Sequence, residues 1–102
     1  MSVTKTHPDK GCYQTNENFI FREIAGENLL IPVGEAGVLN NTMISLNPTC
    51  LSLWKYYETP HTVQETIEEM MHLYSGNPEK IAKDVHQFTS EALDCGLLKE
   101  VD

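Results

Sequence analysis

Four histidines, three cysteines and a scatter of carboxylates are the residues of this chain that could do chemistry. His7, His61, His72 and His86 would suit a metal ion. No two of them stand four apart on a helical face, however, and no carboxylate pair joins them at a ligand spacing. They are read as exposed polar residues. Cys12, Cys50 and Cys95 lie 38 and 45 residues apart. An odd number of cysteines without a CxxC pair makes neither a disulfide framework nor a zinc site. Cys50 and Cys95 fall inside helical patterns, where a free cysteine behaves as a small apolar residue and is expected to be buried. All three are read as reduced thiols of a cytosolic protein. Ser45 and Ser52 lack the surroundings of a nucleophile, Glu68 and Glu69 form a solvated helix face, and there is no glycine-rich phosphate loop. The chain is therefore expected to hold no metal or cofactor and to catalyse no reaction of its own.

Charge narrows the partners. Lys and Arg total 7 against 15 Asp and Glu, a formal net charge of -8. Nucleic acid is bound largely through Lys and Arg that release counterions, so neither DNA nor an anionic membrane suits this chain. A neutral or basic surface does, and the same charge aids solubility. With 102 residues, 40% of them apolar and 22% charged, the composition is that of one globular domain with a modest core. No apolar run approaches the roughly 18 residues of a membrane span. The first 18 residues carry no apolar signal core, so a cytoplasmic location is expected.

Residues 1–18 read as a flexible arm, polar and without an apolar period. Residues 19–102 read as one domain. Phe19–Ile24 and Leu29–Val33 are strand candidates around a turn at Ala25–Asn28, with Pro32 confined to an edge or a strand end. A loop at Gly34–Asn41 leads to a third short strand, Thr42–Leu46. Three helices follow. Asn47 and Pro48 start the first, whose apolar face is Cys50, Leu53, Trp54 and Tyr57. Pro60 and His61 break it. Thr62 and Glu65 form a capping box for the second, with Val63, Ile67, Met70, Met71 and Tyr74 as its stripe and Gly76 as a left-handed cap. Asn77 and Pro78 start the third, with Ile81, Val85, Phe88, Ala92 and Leu93 inward and Gly96 at its end. The fold class is thus α+β, in the order β-β-β-α-α-α. Trp54, Met70 and Met71 are read as core.

These blocks, in this order, resemble the PqqD family, the peptide-recognition element of pathways that modify ribosomally made peptides. The resemblance rests on Phe21–Glu27, on Ile44–Asn47 with Leu53 and Trp54, on Thr62–Ile67 with Tyr74, and on Asp84, Val85 and Phe88 with Gly96–Leu98. It implies a winged-helix-like fold, a three-stranded antiparallel sheet beside three helices. It also implies a function: the leader of a precursor peptide adds as a further strand against the third strand and lies beside the third helix. Carried onto this sequence, the pairing edge is Thr42, Met43, Ile44, Ser45 and Leu46. The groove-facing helix positions are drawn from Lys80, Lys83, Asp84, Gln87 and Glu91. The implied partners are a precursor peptide and a modifying enzyme of the radical S-adenosylmethionine class. Glu58–His61 replaces the family's usual Asp-Gly turn, and the loop before Thr42 is longer than usual. Both departures point to a relative in another peptide pathway, or to one of unknown substrate, rather than to quinone cofactor synthesis.

Two rival readings use the same topology. A winged-helix DNA-binding regulator would read bases with the third helix, but from Asn77 to Cys95 that helix carries two basic residues against four acidic ones. A generic protein–protein adaptor, or a homodimer, would use the exposed strand edge.

Overall fold

The computed structural model describes residues 11–34 and 43–101. Its elements in chain order are β1 (Cys12–Thr15), β2 (Phe19–Ile24), β3 (Glu27–Pro32), β4 (Ile44–Leu46), α1 (Pro48–Tyr56), β5 (His61–Thr62), α2 (Val63–Leu73), α3 (Pro78–Asp94) and β6 (Leu98–Val101). The expected α+β class and the strands-then-helices order of the central part are both present. The strands form two antiparallel three-stranded sheets, ordered β2-β3-β4 and β5-β1-β6.

The first sheet is the expected one, with a tighter turn. Ile24 pairs with Glu27, leaving only Ala25 and Gly26 in the connection. Both have positive φ, 52° and 82°. This is the mirror-image two-residue turn whose twist matches that of the flanking strands. Glu27 and Asn28 therefore belong to β3 rather than to a four-residue turn. Pro32 ends β3, where its missing N–H interrupts no ladder.

The second sheet corrects the reading of residues 1–18 as a flexible arm. Cys12–Thr15 is a strand, paired with β6 from Cys12↔Val101 to Thr15↔Leu98 and with β5 at Cys12↔Thr62 and Tyr13↔His61. Tyr13 is buried there. Beyond the ladder, the Thr15 amide donates to the Tyr57 carbonyl and the Asn16 amide to that of Leu97, at 2.9 and 2.8 Å. The Asn16 side chain donates to the Gly96 carbonyl at 3.0 Å. All these partners lie more than forty residues away in sequence, so no local pattern announces the strand. Residues 1–10 lie outside the described residues.

Helix starts follow the capping residues. Asn47 accepts from the Cys50 amide at 2.8 Å, and Asn77 from the Glu79 amide at 2.8 Å. Thr62 and Glu65 exchange bonds of 3.0 Å each, a complete capping box. Helix α3 ends as expected at Gly96 (φ 81°): the Gly96 amide reaches the Leu93 carbonyl and the Leu97 amide that of Ala92. Helix α2 ends early. Tyr74 is already extended, and its hydroxyl meets that of Ser52 on α1 at 2.7 Å, so Gly76 lies beyond the helix rather than capping it.

Between sheets and helices lies one core of Leu30, Leu53, Trp54, Tyr57, Val63, Ile67, Met70, Val85, Ala92, Leu97 and Leu98 among others. Trp54 and Met70 are buried as expected, whereas Met71 and Tyr74 are exposed. The burial of α2 centres on Val63, Ile67 and Met70, and Met71 is turned one position off that stripe. Cys50 is half-buried and Cys95 exposed, because Cys95 caps α3 instead of lying within it.

Candidate functional site

Strand β4 is the end strand of its sheet: among the described residues it pairs with β3 alone, through Asn28↔Leu46, Leu29↔Ser45 and Leu30↔Ile44. Leu46 and Ile44 turn toward the core, and Ser45 is exposed between them. Among the described residues no strand lies on the other side of the β4 backbone. A sheet edge of this kind is a template for an added strand.

The chain passes from Leu46 through Asn47 directly into α1, and a groove opens there against α3. Its first part has a volume of about 290 Å³ and is lined by Asn47, Cys50 and Leu53 on one side and Gln87, Phe88 and Glu91 on the other. A second depression of about 220 Å³ shares Leu53 and Asp84 with it and extends toward Met70, Tyr74 and Ile81 at the start of α3. The floor is apolar and the rim polar.

The residues assigned from the sequence distribute as follows. Ile44, Ser45 and Leu46 form the edge strand. Met43 precedes it and is exposed, and Thr42 lies outside the described residues. Asp84, Gln87 and Glu91 line the groove from α3, and Lys80 lines its extension. Lys83 sits with Lys80, Asp84 and Gln87 along a shallow depression on the same helix. Lys80 pairs with Asp84 at 3.2 Å. Asn47, Cys50 and Phe88 also line the groove. Asn47 was legible only as a helix cap, Cys50 and Phe88 only as core. Helical spacing gives the face of a residue but not the gap between two helices.

Electrostatics in the groove disfavour a reactive thiol. Burial pushes the Cys50 thiol up, and the carboxylates of Glu91 and Asp84 push it the same way, against a hydrogen bond involving Asn47. A nucleophilic cysteine needs the opposite shift. Among the described residues no group of three His, Cys, Asp or Glu side chains could hold a metal ion. His61 is only half-exposed, with a structural role. It stacks on Tyr56 with ring centroids 3.8 Å apart and bonds to Thr59 at 2.9 Å and Glu65 at 3.3 Å. No helix among the described residues is long and apolar enough to cross a membrane.

Comparison with known proteins agrees with this architecture. No curated protein matches the chain. Among solved structures, it resembles TbiB1 in complex with the TbiA(beta) leader peptide. The TM-score is 0.68 at 16% identity, covering 87% of this chain and 98% of that one, a likeness of fold. The family described as coenzyme PQQ synthesis protein D matches residues 21–98, most of the chain. The chain belongs to the PqqD family.

Proposed function

We propose that this protein is a non-catalytic binding subunit that recognises the leader of a ribosomally made precursor peptide and presents it to a modifying enzyme. The observation that carries the reading is the end strand β4, paired with β3 alone among the described residues and followed through Asn47 by the α1–α3 groove. An extended peptide paired with Ile44–Leu46 gains backbone hydrogen bonds, while the groove reads its side chains. The solved structure of similar fold that contains a leader peptide supports the same use of the fold. Holding the leader raises the local concentration of the segment to be modified, so the enzyme need not recognise the whole substrate. An enzyme of the radical S-adenosylmethionine class is the partner proposed, and three free thiols suit a reducing cytoplasm.

Titration with peptides encoded beside this gene, followed by calorimetry and by backbone amide shifts, tests the reading. Shifts at Met43–Leu46 and along α3 are expected. Shifts confined to the β5-β1-β6 sheet would place the site elsewhere. Concentration-dependent shifts at β4 without peptide would favour a homodimer through that edge.

A further inference from the structure

The rim of the groove carries a charge order along α3. Lys80, Lys83, Asp84, Gln87 and Glu91 fall within an arc of about 100° on the helix, and all five border the groove or the shallow depression beside it. Lys80 and Asp84 neutralise each other. Lys83 and Glu91 take part in no ion pair among the described residues, and Glu91 accepts only a hydrogen bond from Gln87, at 3.2 Å. The last turn of α3 contains no basic residue, so the partial negative charge of the helix C-terminus adds to that of Glu91. Lys83, which shares the shallow depression with Glu79 but pairs with no carboxylate among the described residues, is thus the unpaired base of the rim, and Glu91 is the unpaired acid at its other end.

Lys83 and Glu91 are eight residues apart, about 12 Å along a helix axis. In an extended strand, residues four apart lie on one face and about 13 Å from each other. The geometry points to a ligand specificity, which rests on the peptide-binding reading above: the groove, with the depression beside it, takes an extended peptide bearing an acidic and a basic side chain four residues apart on one face. The acidic side chain sits against Lys83 and the basic one against Glu91. An apolar residue of the same peptide covers Leu53 and Phe88. A peptide that pairs with β4 in one direction meets Lys83 and Glu91 in one order, so a single order of acid and base along the peptide is accepted.

The test is display selection of random peptides about twelve residues long, enough to cover an edge strand, on the full chain and on the charge-swapped variant Lys83→Glu/Glu91→Lys. Both substitutions are at exposed helix positions, and a lysine in the last turn suits the helix dipole. The wild type is expected to enrich an acid–base pair at the four-residue spacing in one order, and the variant to enrich the reverse order. Replacing the basic residue of a selected peptide by norleucine should weaken binding roughly 1.5- to fivefold. If the variant does not fold, Glu91→Gln serves instead and should lose the basic preference alone. Selected peptides that shift the Ile44–Leu46 amides without this spacing, or in unchanged order after the swap, overturn the specificity and leave the peptide-binding reading standing. If no selected peptide shifts those amides or α3, the binding reading falls and the specificity with it.

Discussion

The hydroxyls of Tyr57 and Thr89 meet at 3.0 Å in the interior, tying the end of α1 to the middle of α3. Both residues are almost wholly buried, at 0% and 1% exposure. No buried side-chain N or O atom among the described residues lacks a partner. This bond therefore links the two helices that wall the groove.

Removing one side of that pair strands the other. Tyr57→Phe should destabilise the fold by about 1–3 kcal/mol, the usual cost of a buried polar group left unpaired. The double variant Tyr57→Phe/Thr89→Val should lose less than the sum of the single losses, since the pair acts as one unit. Urea unfolding of the four proteins measures this.

Burial raises the pKa of the Tyr57 phenol, opposed by its hydrogen bonds with Thr66 and Thr89. In the unfolded chain the phenol loses its proton near 10. The raised folded value means that the contribution to stability is complete below that pH and is lost as pH rises through the folded value. Thermal unfolding between pH 9 and 11 should therefore fall less steeply in Tyr57→Phe than in the wild type, with about 10 as the tyrosine reference.

The capping box of α2 is a local device with a local cost. Thr62→Ala removes the acceptor for the Glu65 amide and should cost about 1 kcal/mol. The Glu65 carboxyl is held below the ordinary range first by the Thr62 amide and then by His61. Its contribution is present above the unfolded carboxylate pKa and is lost as pH falls through the lowered folded value. The stability difference between wild type and Glu65→Ala should accordingly shrink on acidification, as melting temperatures against pH would show.

Thiol labelling separates the cysteines. Cys95 is exposed, while Cys50 is half-buried with its pKa raised. At neutral pH a disulfide reagent should modify Cys95 well before Cys50, because the thiolate is the reacting species. A peptide seated in the groove should slow Cys50 further and leave Cys95 unchanged. Peptide mapping by mass spectrometry reads both.

DNA supplies the contrary case. With two basic and four acidic residues between Asn77 and Cys95, α3 should be repelled by phosphates. A mobility shift with random duplex at low salt should show no complex. A robust complex there would revive the regulator reading.

Much of the fold was legible because its signals are local. Asn47, Thr62, Glu65 and Asn77 announce helix starts within three residues of where they act, and Phe19–Ile24 has the composition of a strand. The third strand was legible too, as Ile44–Leu46 within a longer expected stretch. Strand β1 was not, since Cys12–Thr15 is held by residues from Tyr57 to Val101 and carries one buried residue of its own. The exposure of Met71 and of Cys95 was missed for a related reason. A stripe read by period assigns a face, and only the packing of neighbouring elements decides how wide that face is.

The sequence by itself determined the order of the central elements, the helix N-caps, the family and the negative charge. Tertiary structure alone decided that Cys12–Thr15 and Leu98–Val101 close a second sheet, that among the described residues β4 has a strand on one side only, and that Glu91 lines the groove while Lys83 lines the depression beside it, neither in an ion pair among the described residues. The division has a physical cause. Caps and periodicity act over a few residues of chain, whereas a sheet edge or a groove exists only where distant segments meet.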